Sequence, residues 1–181
     1  INACIDCGEC VSTCPSGALS LGSRAEVVWD EARCTGGDTC ITVCPWDSTP
    51  KARHLEVAAL LAKIRRAAPF LSGITVSGGE ATQQAAFVHA LFAAVKADPQ
   101  LARLTCFIDS NGAATPDTWD ALAPVLDGAM IDLKCLDPVI HQSMTGQPND
   151  AVLAAVRQLH NRGLLYEVRL LVLAHVNDDV E

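Results

Sequence analysis

Residues 4–15 read CIDCGECVSTCP, and residues 34–45 read CTGGDTCITVCP. Sliding the first segment along by thirty residues puts Cys4 on Cys34, Cys10 on Cys40, Cys14 on Cys44 and Pro15 on Pro45. The N-terminal region is therefore a duplicated unit. The first copy has the spacing C-x2-C-x2-C-x3-C-P. Three thiolates on one tight loop reach three corners of an iron–sulfur cube, while the fourth, followed by proline, points away and ligates the other cluster. This spacing assigns Cys4, Cys7 and Cys10 to a first 4Fe-4S cluster that Cys44 closes. It assigns Cys34, Cys40 and Cys14 to a second. Zinc and buried structural thiols are the competing readings, but zinc usually takes two separated C-x2-C pairs rather than a run of three with a fourth before proline.

The second copy lacks one cysteine, because Gly37 stands where the first has Cys7. Three outcomes are open: a 3Fe-4S cluster, a 4Fe-4S cluster with a non-cysteine ligand such as Asp38, or no second cluster. Between the copies, Ala18–Leu21 and Glu26–Trp29 read as short strands around a turn at Gly22 and Ser23. Residues 1–48 are thus expected to form a small α+β domain of the bacterial-ferredoxin kind, held together by its clusters more than by a core.

The bulk composition narrows the rest. The chain has 181 residues, is 50% hydrophobic and only 4% aromatic, and carries a net charge of −8. That balance argues against a nucleic-acid partner, which needs clustered Lys and Arg. The one basic cluster, Lys63, Arg65 and Arg66, reads as a solvated helix face. No apolar run approaches the ~20 residues that span a bilayer, so no membrane is expected. Nine cysteines, seven of them within the first 44 residues, suit metal binding in a reducing compartment, hence the cytoplasm. The first residue is Ile1 rather than Met, from which a fragment or processed product is expected.

After Pro50 the pattern becomes strand–helix alternation. Helices are expected over Glu56–Ala68, Thr82–Ala97, Pro116–Leu126 and Ala151–Arg162, and strands over Ile74–Ser77, Thr105–Asp109, Ala129–Leu133 and Glu167–Leu173. Such alternation means right-handed crossovers and a parallel sheet, so residues 49–181 read as an α/β domain. Polar residues gather where three strands end: Ser77 to Glu80, Asp109 to Gly112, and Asp132 with Lys134. Ligand sites in parallel α/β folds lie at those carboxyl ends. Taken singly, Gly78-Gly79-Glu80 and Asn111-Gly112 are ordinary turns, and Asp132 with Lys134 is an ion pair. Together they point to a ligand. Cys106 reads as a buried core thiol, Cys135 as a free thiol, and His141 and His175 as surface or loop histidines.

In this order the motifs resemble those of the activating enzymes of glycyl-radical enzymes. These are members of the radical S-adenosylmethionine superfamily, and the likeness is to the subgroup with a two-cluster ferredoxin insert. The resemblance rests on the paired cysteine runs, Pro69-Phe70-Leu71, residues 74–80 (ITVSGGE), residues 109–112 (DSNG) and residues 130–134 (MIDLK). It continues through Asp137-Pro138, His141, Thr145-Gly146 and Asn149. It implies a partial (β/α) barrel in which Gly78, Gly79 and Glu80 meet the amino group of S-adenosylmethionine, largely through backbone, and Lys134 meets its carboxylate. Asp109, Ser110, the Met130 carbonyl and Asp132 resemble a monovalent-cation site, and Arg169 approaches the nucleotide. By resemblance, electrons pass from a flavodoxin- or ferredoxin-like reductant through the ferredoxin clusters to a catalytic cluster. Cleavage there gives a 5′-deoxyadenosyl radical, which takes hydrogen from a glycine of the partner enzyme.

The sequence departs from that family in places. No C-x3-C-x2-C triplet for the catalytic cluster occurs; in relatives it precedes the ferredoxin insert, so it is expected upstream of Ile1, and later strands downstream of Glu181. This piece alone is therefore expected to be inactive. Ala81 stands where proline is more usual, and Ala174-His175-Val176 where relatives often have Pro-Gly. Two further readings follow: an iron–sulfur electron-transfer protein without radical chemistry, and a radical enzyme acting on a small molecule.

Overall fold

The computed structural model describes residues 4–46, 48–51 and 55–178. The chain divides into two compact units, Ile1–Leu55 and Glu56–Glu181.

In the first unit, the single-turn helices α1 (Glu9–Thr13) and α2 (Thr39–Thr42) each follow a residue with left-handed backbone, Gly8 at φ 78° and Asp38 at φ 53°. Between them lies an antiparallel hairpin of β1 (Leu19–Leu21) and β2 (Val27–Trp29), with Leu19 opposite Trp29. Gly22 accepts from the Ala25 amide at 3.1 Å and donates to the Glu26 carbonyl at 2.8 Å, which closes the turn. Among the described residues here, the buried apolar side chains are little more than Ala18, Leu19 and Cys40. So small a core cannot offset the chain entropy of fifty residues by itself.

The second unit holds α3 (Val57–Ala67), β3 (Gly73–Val76), α4 (Ala85–Ala97), β4 (Thr105–Ser110), α5 (Pro116–Leu122), β5 (Gly128–Leu133), α6 (Pro138–Thr145), α7 (Asp150–Asn161) and β6 (Leu165–Leu170). The strands form one parallel sheet in the order β3-β4-β5-β6. An order without reversal, joined by right-handed crossovers, keeps the helices on one face, as in a segment of a (β/α) barrel. Alternation sets what each face holds. Ile74 and Val76 share the helix-covered face with Cys106, Ile108, Ser110, Ala129, Ile131 and Leu133. They pack with Val88, Phe92 and Val95 of α4, Trp119 and Leu122 of α5, and Val152 and Leu159 of α7. The opposite face carries Phe107, Asp109, Met130, Asp132 and Arg169. There Gly128 leaves room for the Phe107 ring, 2.9 Å from where a Cβ would lie. Phe107 meets Tyr166 edge-on, with ring centres 4.8 Å apart.

Gly112 turns the chain out of β4 at φ 74°, and a Cβ there would lie 2.9 Å from Ile131 Cγ2 and 3.0 Å from Val152 Cγ1. Gly112→Ala adds left-handed strain to overpacking, and is expected to cost roughly 2–4 kcal/mol, read as a lower urea midpoint with unchanged slope.

Two sequence expectations need correction. The stretch after β5, read only as a series of motif residues, is the helix α6. Asp137 caps it by accepting from the Val139 and Ile140 amides at 2.8 and 2.9 Å, Pro138 starts it, and Gly146 ends it at φ 77°. His141 is consequently not a surface or loop histidine. It is buried on α6 with Nδ1 2.9 Å from the Gln147 carbonyl oxygen. His175 does lie exposed in a turn.

Candidate functional site

The cysteines of the first unit are all free thiols and surround two cavities. One, of about 20 Å³, is lined by Cys4, Cys7, Cys10 and Cys44, with Cys40 also on its border. The other, of about 20 Å³, is lined by Cys14, Cys34 and Cys40, together with Trp29, Gly37, Asp38 and Lys51. Each thiol before a proline thus borders the cavity of the opposite repeat. Thiols around a cavity, rather than meeting at a point, fit polynuclear iron–sulfur clusters.

The electrostatics favour thiolates in the second cavity. Cys34 is held below its ordinary range first by the Trp29 indole N–H, then by the Gly36 amide, with Lys51 adding its charge. Cys14 is lowered chiefly by the Ser16 hydroxyl. In the first cavity burial pushes Cys10 up, a cost that metal binding offsets. Cys106 lies in the core of the second unit, where burial pushes it up to about 11, so it stays a protonated, inert thiol. Cys135 is also buried.

In the second unit the strand ends assemble a polar network. Gly78 and Gly79 leave β3 with left-handed φ of 86° and 53°, and a Cβ at either would meet nothing within 4 Å. Their backbone is open to a ligand. Glu80 turns the other way and ties two strand ends together. One carboxylate oxygen accepts from the Thr82 hydroxyl (2.6 Å), the Thr82 amide (3.0 Å) and the Ser110 hydroxyl (2.8 Å); the other accepts from the Asn111 amide (2.8 Å). Burial raises the Glu80 carboxyl, but these bonds outweigh it and leave it below its ordinary value. Ser110 is buried, and its hydroxyl serves Glu80 and the Gly112 amide, so contact with a ligand falls to its main chain.

Asp109 accepts from the Ser77 hydroxyl at 3.0 Å and is paired with Arg169. The same guanidinium lies 3.1 Å from Asp132 and 3.6 Å from Glu167. Its Nε is not aligned for a hydrogen bond to either, so these two contacts are ionic only. Lys134 pairs with Asp132 at 2.9 Å. With Glu80, four carboxylates against two cations leave the strand-end network two charges negative.

All the strand-end residues singled out in the sequence come together here. What the sequence did not show is that Arg169 bridges two strands, since Asp109 lies sixty residues earlier. Nor did it show that Asn149 is structural. That residue is buried and donates to the Cys135 and Leu136 carbonyls at 3.2 and 2.8 Å. Among the described residues no helix is long and apolar enough to cross a membrane.

Comparison with known proteins gives family matches over both units. Residues 3–48 match the 4Fe-4S dicluster domain and residues 34–181 the radical SAM superfamily. The isethionate sulfite-lyase activating enzyme of Desulfovibrio desulfuricans is 30% identical over 86% of this chain and 52% of its own length. The pyruvate formate-lyase 1-activating enzyme of Escherichia coli K12 is 32% identical over 74% of this chain and 55% of its own. The chain thus spans about half the length of the relatives it matches. Among solved structures, a domain of a pyruvate-formate lyase-activating enzyme from Bacteroides vulgatus superposes with a TM-score of 0.50 at 27% identity, covering 60% of this chain and 65% of that one. With a superfamily match across the whole sheet and a dicluster match across the cysteine repeat, this chain belongs to the radical SAM superfamily.

Proposed function

We propose that this chain is part of an activating enzyme that installs a glycyl radical on a partner enzyme. The observation that carries the reading is the network at the strand ends, set beside two open glycines on a parallel sheet. S-adenosylmethionine carries an ammonium, a sulfonium and a carboxylate, a net positive charge that complements a negatively charged network. Gly78 and Gly79 receive the ammonium end through their backbone, next to the Glu80 turn. Lys134 receives the carboxylate, exchanging part of its pairing with Asp132. Asp109, Asp132, the Met130 carbonyl and the Ser110 main chain offer oxygens to a monovalent cation, which would take over part of the pairing of Arg169 and let it approach the nucleotide.

The first unit is the electron path. Cys4, Cys7, Cys10 and Cys44 hold one 4Fe-4S cluster, and Cys14, Cys34 and Cys40 hold the second. A flavodoxin- or ferredoxin-like protein is the reductant. Bound together, these groups supply the electron and the 5′-deoxyadenosyl radical that removes hydrogen from a glycine. The protein acts in the cytoplasm.

Lys134→Ala is expected to weaken S-adenosylmethionine binding roughly 10- to 100-fold, the worth of one charge-assisted hydrogen bond. Asp132 keeps Arg169 as a partner, so the fold should persist. Anaerobic calorimetric titration of the whole protein gives the affinity. Unchanged affinity would remove Lys134 from the site. Whole protein that, once reduced, forms no 5′-deoxyadenosine would instead favour a plain electron carrier.

A further inference from the structure

The two cysteine loops share one backbone. In the first, Gly8 is left-handed and its carbonyl accepts from the Val11 amide at 3.0 Å; thirty residues on, Asp38 is left-handed and accepts from the Ile41 amide at 2.9 Å. Gly37 therefore occupies the place of Cys7. Packing does not demand a glycine there, since a Cβ would meet nothing nearer than Thr39 Oγ1 at 4.0 Å. The unusual residue is its neighbour. At the left-handed position the first copy has glycine, whereas the second has aspartate, which adopts this backbone less readily. An aspartate before a helix usually caps it, but Asp38 makes no such bond. Its carboxylate instead pairs with Lys51, and both line the cavity of Cys14, Cys34 and Cys40.

We propose that Asp38 supplies the fourth protein donor of the cluster held by Cys14, Cys34 and Cys40, closing it as a four-iron cluster, with Lys51 holding that carboxylate at the cavity rim. This rests on reading the cysteine runs as cluster ligands. Backbone strain at a residue that neither caps nor packs is what a ligand position explains. The loop is already folded for a donor at this point, and the donor has moved by one residue. A carboxylate oxygen is a harder ligand than thiolate, so the iron it holds is the most readily lost of the eight.

The test is anaerobic reconstitution of the full chain with ferrous iron and sulfide, followed by iron and sulfide counting and electron paramagnetic resonance. Wild-type chain should hold about eight irons and Asp38→Ala about seven, the variant gaining the near-isotropic signal of an oxidised three-iron cluster. Adding Gly37→Cys to Asp38→Ala should restore about eight. Complete loss of the second cluster in Asp38→Ala, if Gly37→Cys rescues it, also supports the donor role. Identical counts and spectra in wild type and Asp38→Ala, or a loss that Gly37→Cys does not rescue, overturn it. The first cluster's signal reports that each variant is folded. Wild-type chain that takes up zinc, or no cluster at all, would overturn the underlying reading of the cysteines instead.

Discussion

Cys44→Ala should strip a ligand from the cluster of the first cysteine run, thirty-four residues away from Cys10, and spare the cluster of its own run. Cys44 lines the same cavity as Cys4, Cys7 and Cys10, while Cys14 lines the other. Iron should fall from near eight per chain to about seven where the three remaining thiols keep a three-iron cluster, and to about four where that cluster is lost. The effect should spread to the fold. With so few buried side chains, the first unit draws its stability from the metal sites, where a structural site can be worth on the order of 10 kcal/mol. Limited proteolysis should then cut the first unit and leave the second whole. Cys14→Ala should give the reciprocal result. Cys106→Ala should leave the iron count untouched, because that thiol is buried in the other unit's core.

Glu80 should dominate the second unit. Removing it as Glu80→Ala leaves two amides and two hydroxyls between β3 and β4 without their acceptor. The expected loss is roughly 3–5 kcal/mol, with the Gly78-Gly79 loop displaced and ligand binding lost. Glu80→Gln separates charge from shape. The amide nitrogen must face a donor, Asn111 or Thr82, so about 1–3 kcal/mol should still go. The pH dependence distinguishes the two further. The folded carboxyl lies below its ordinary value of 4.5. Its contribution is therefore complete above that value and is lost as the pH falls through the folded one. Urea midpoints measured from neutral pH downward should slope less in Glu80→Gln than in wild type. Equal slopes would mean that other carboxylates carry the acid sensitivity.

The parts of this structure that were legible in the sequence are those where chemistry fixes spacing. A cluster needs thiols at set intervals, so the cysteine repeat could be read residue by residue. Strand–helix alternation gave the parallel sheet, with the first three strands placed to within a residue and the fourth, expected over Glu167–Leu173, found at Leu165–Leu170. The signals for α6 were also present: Asp137 before Pro138 at its start and Gly146 at its end are ordinary boundary marks. Taken only as motif residues, they hide the helix that buries His141. The bonds from Glu80 to Ser110 and Asn111, and from Arg169 to Asp109 and Asp132, could not be read in advance. They depend on register between strands thirty to sixty residues apart, which no local pattern specifies.

Among the described residues, β6 pairs with β5 alone. Tyr166 and Leu170 are exposed on it, and Leu171, Val172 and Leu173 follow directly. A strand with one side unpaired and an apolar rim is a template for another strand. The chain's net charge of −8 keeps copies apart only over the Debye length, which falls from ~30 Å at 0.01 M salt to ~3 Å at 1 M. The colloidal behaviour of this chain should therefore run against common practice: clear and monodisperse in dilute buffer, turbid as salt is raised.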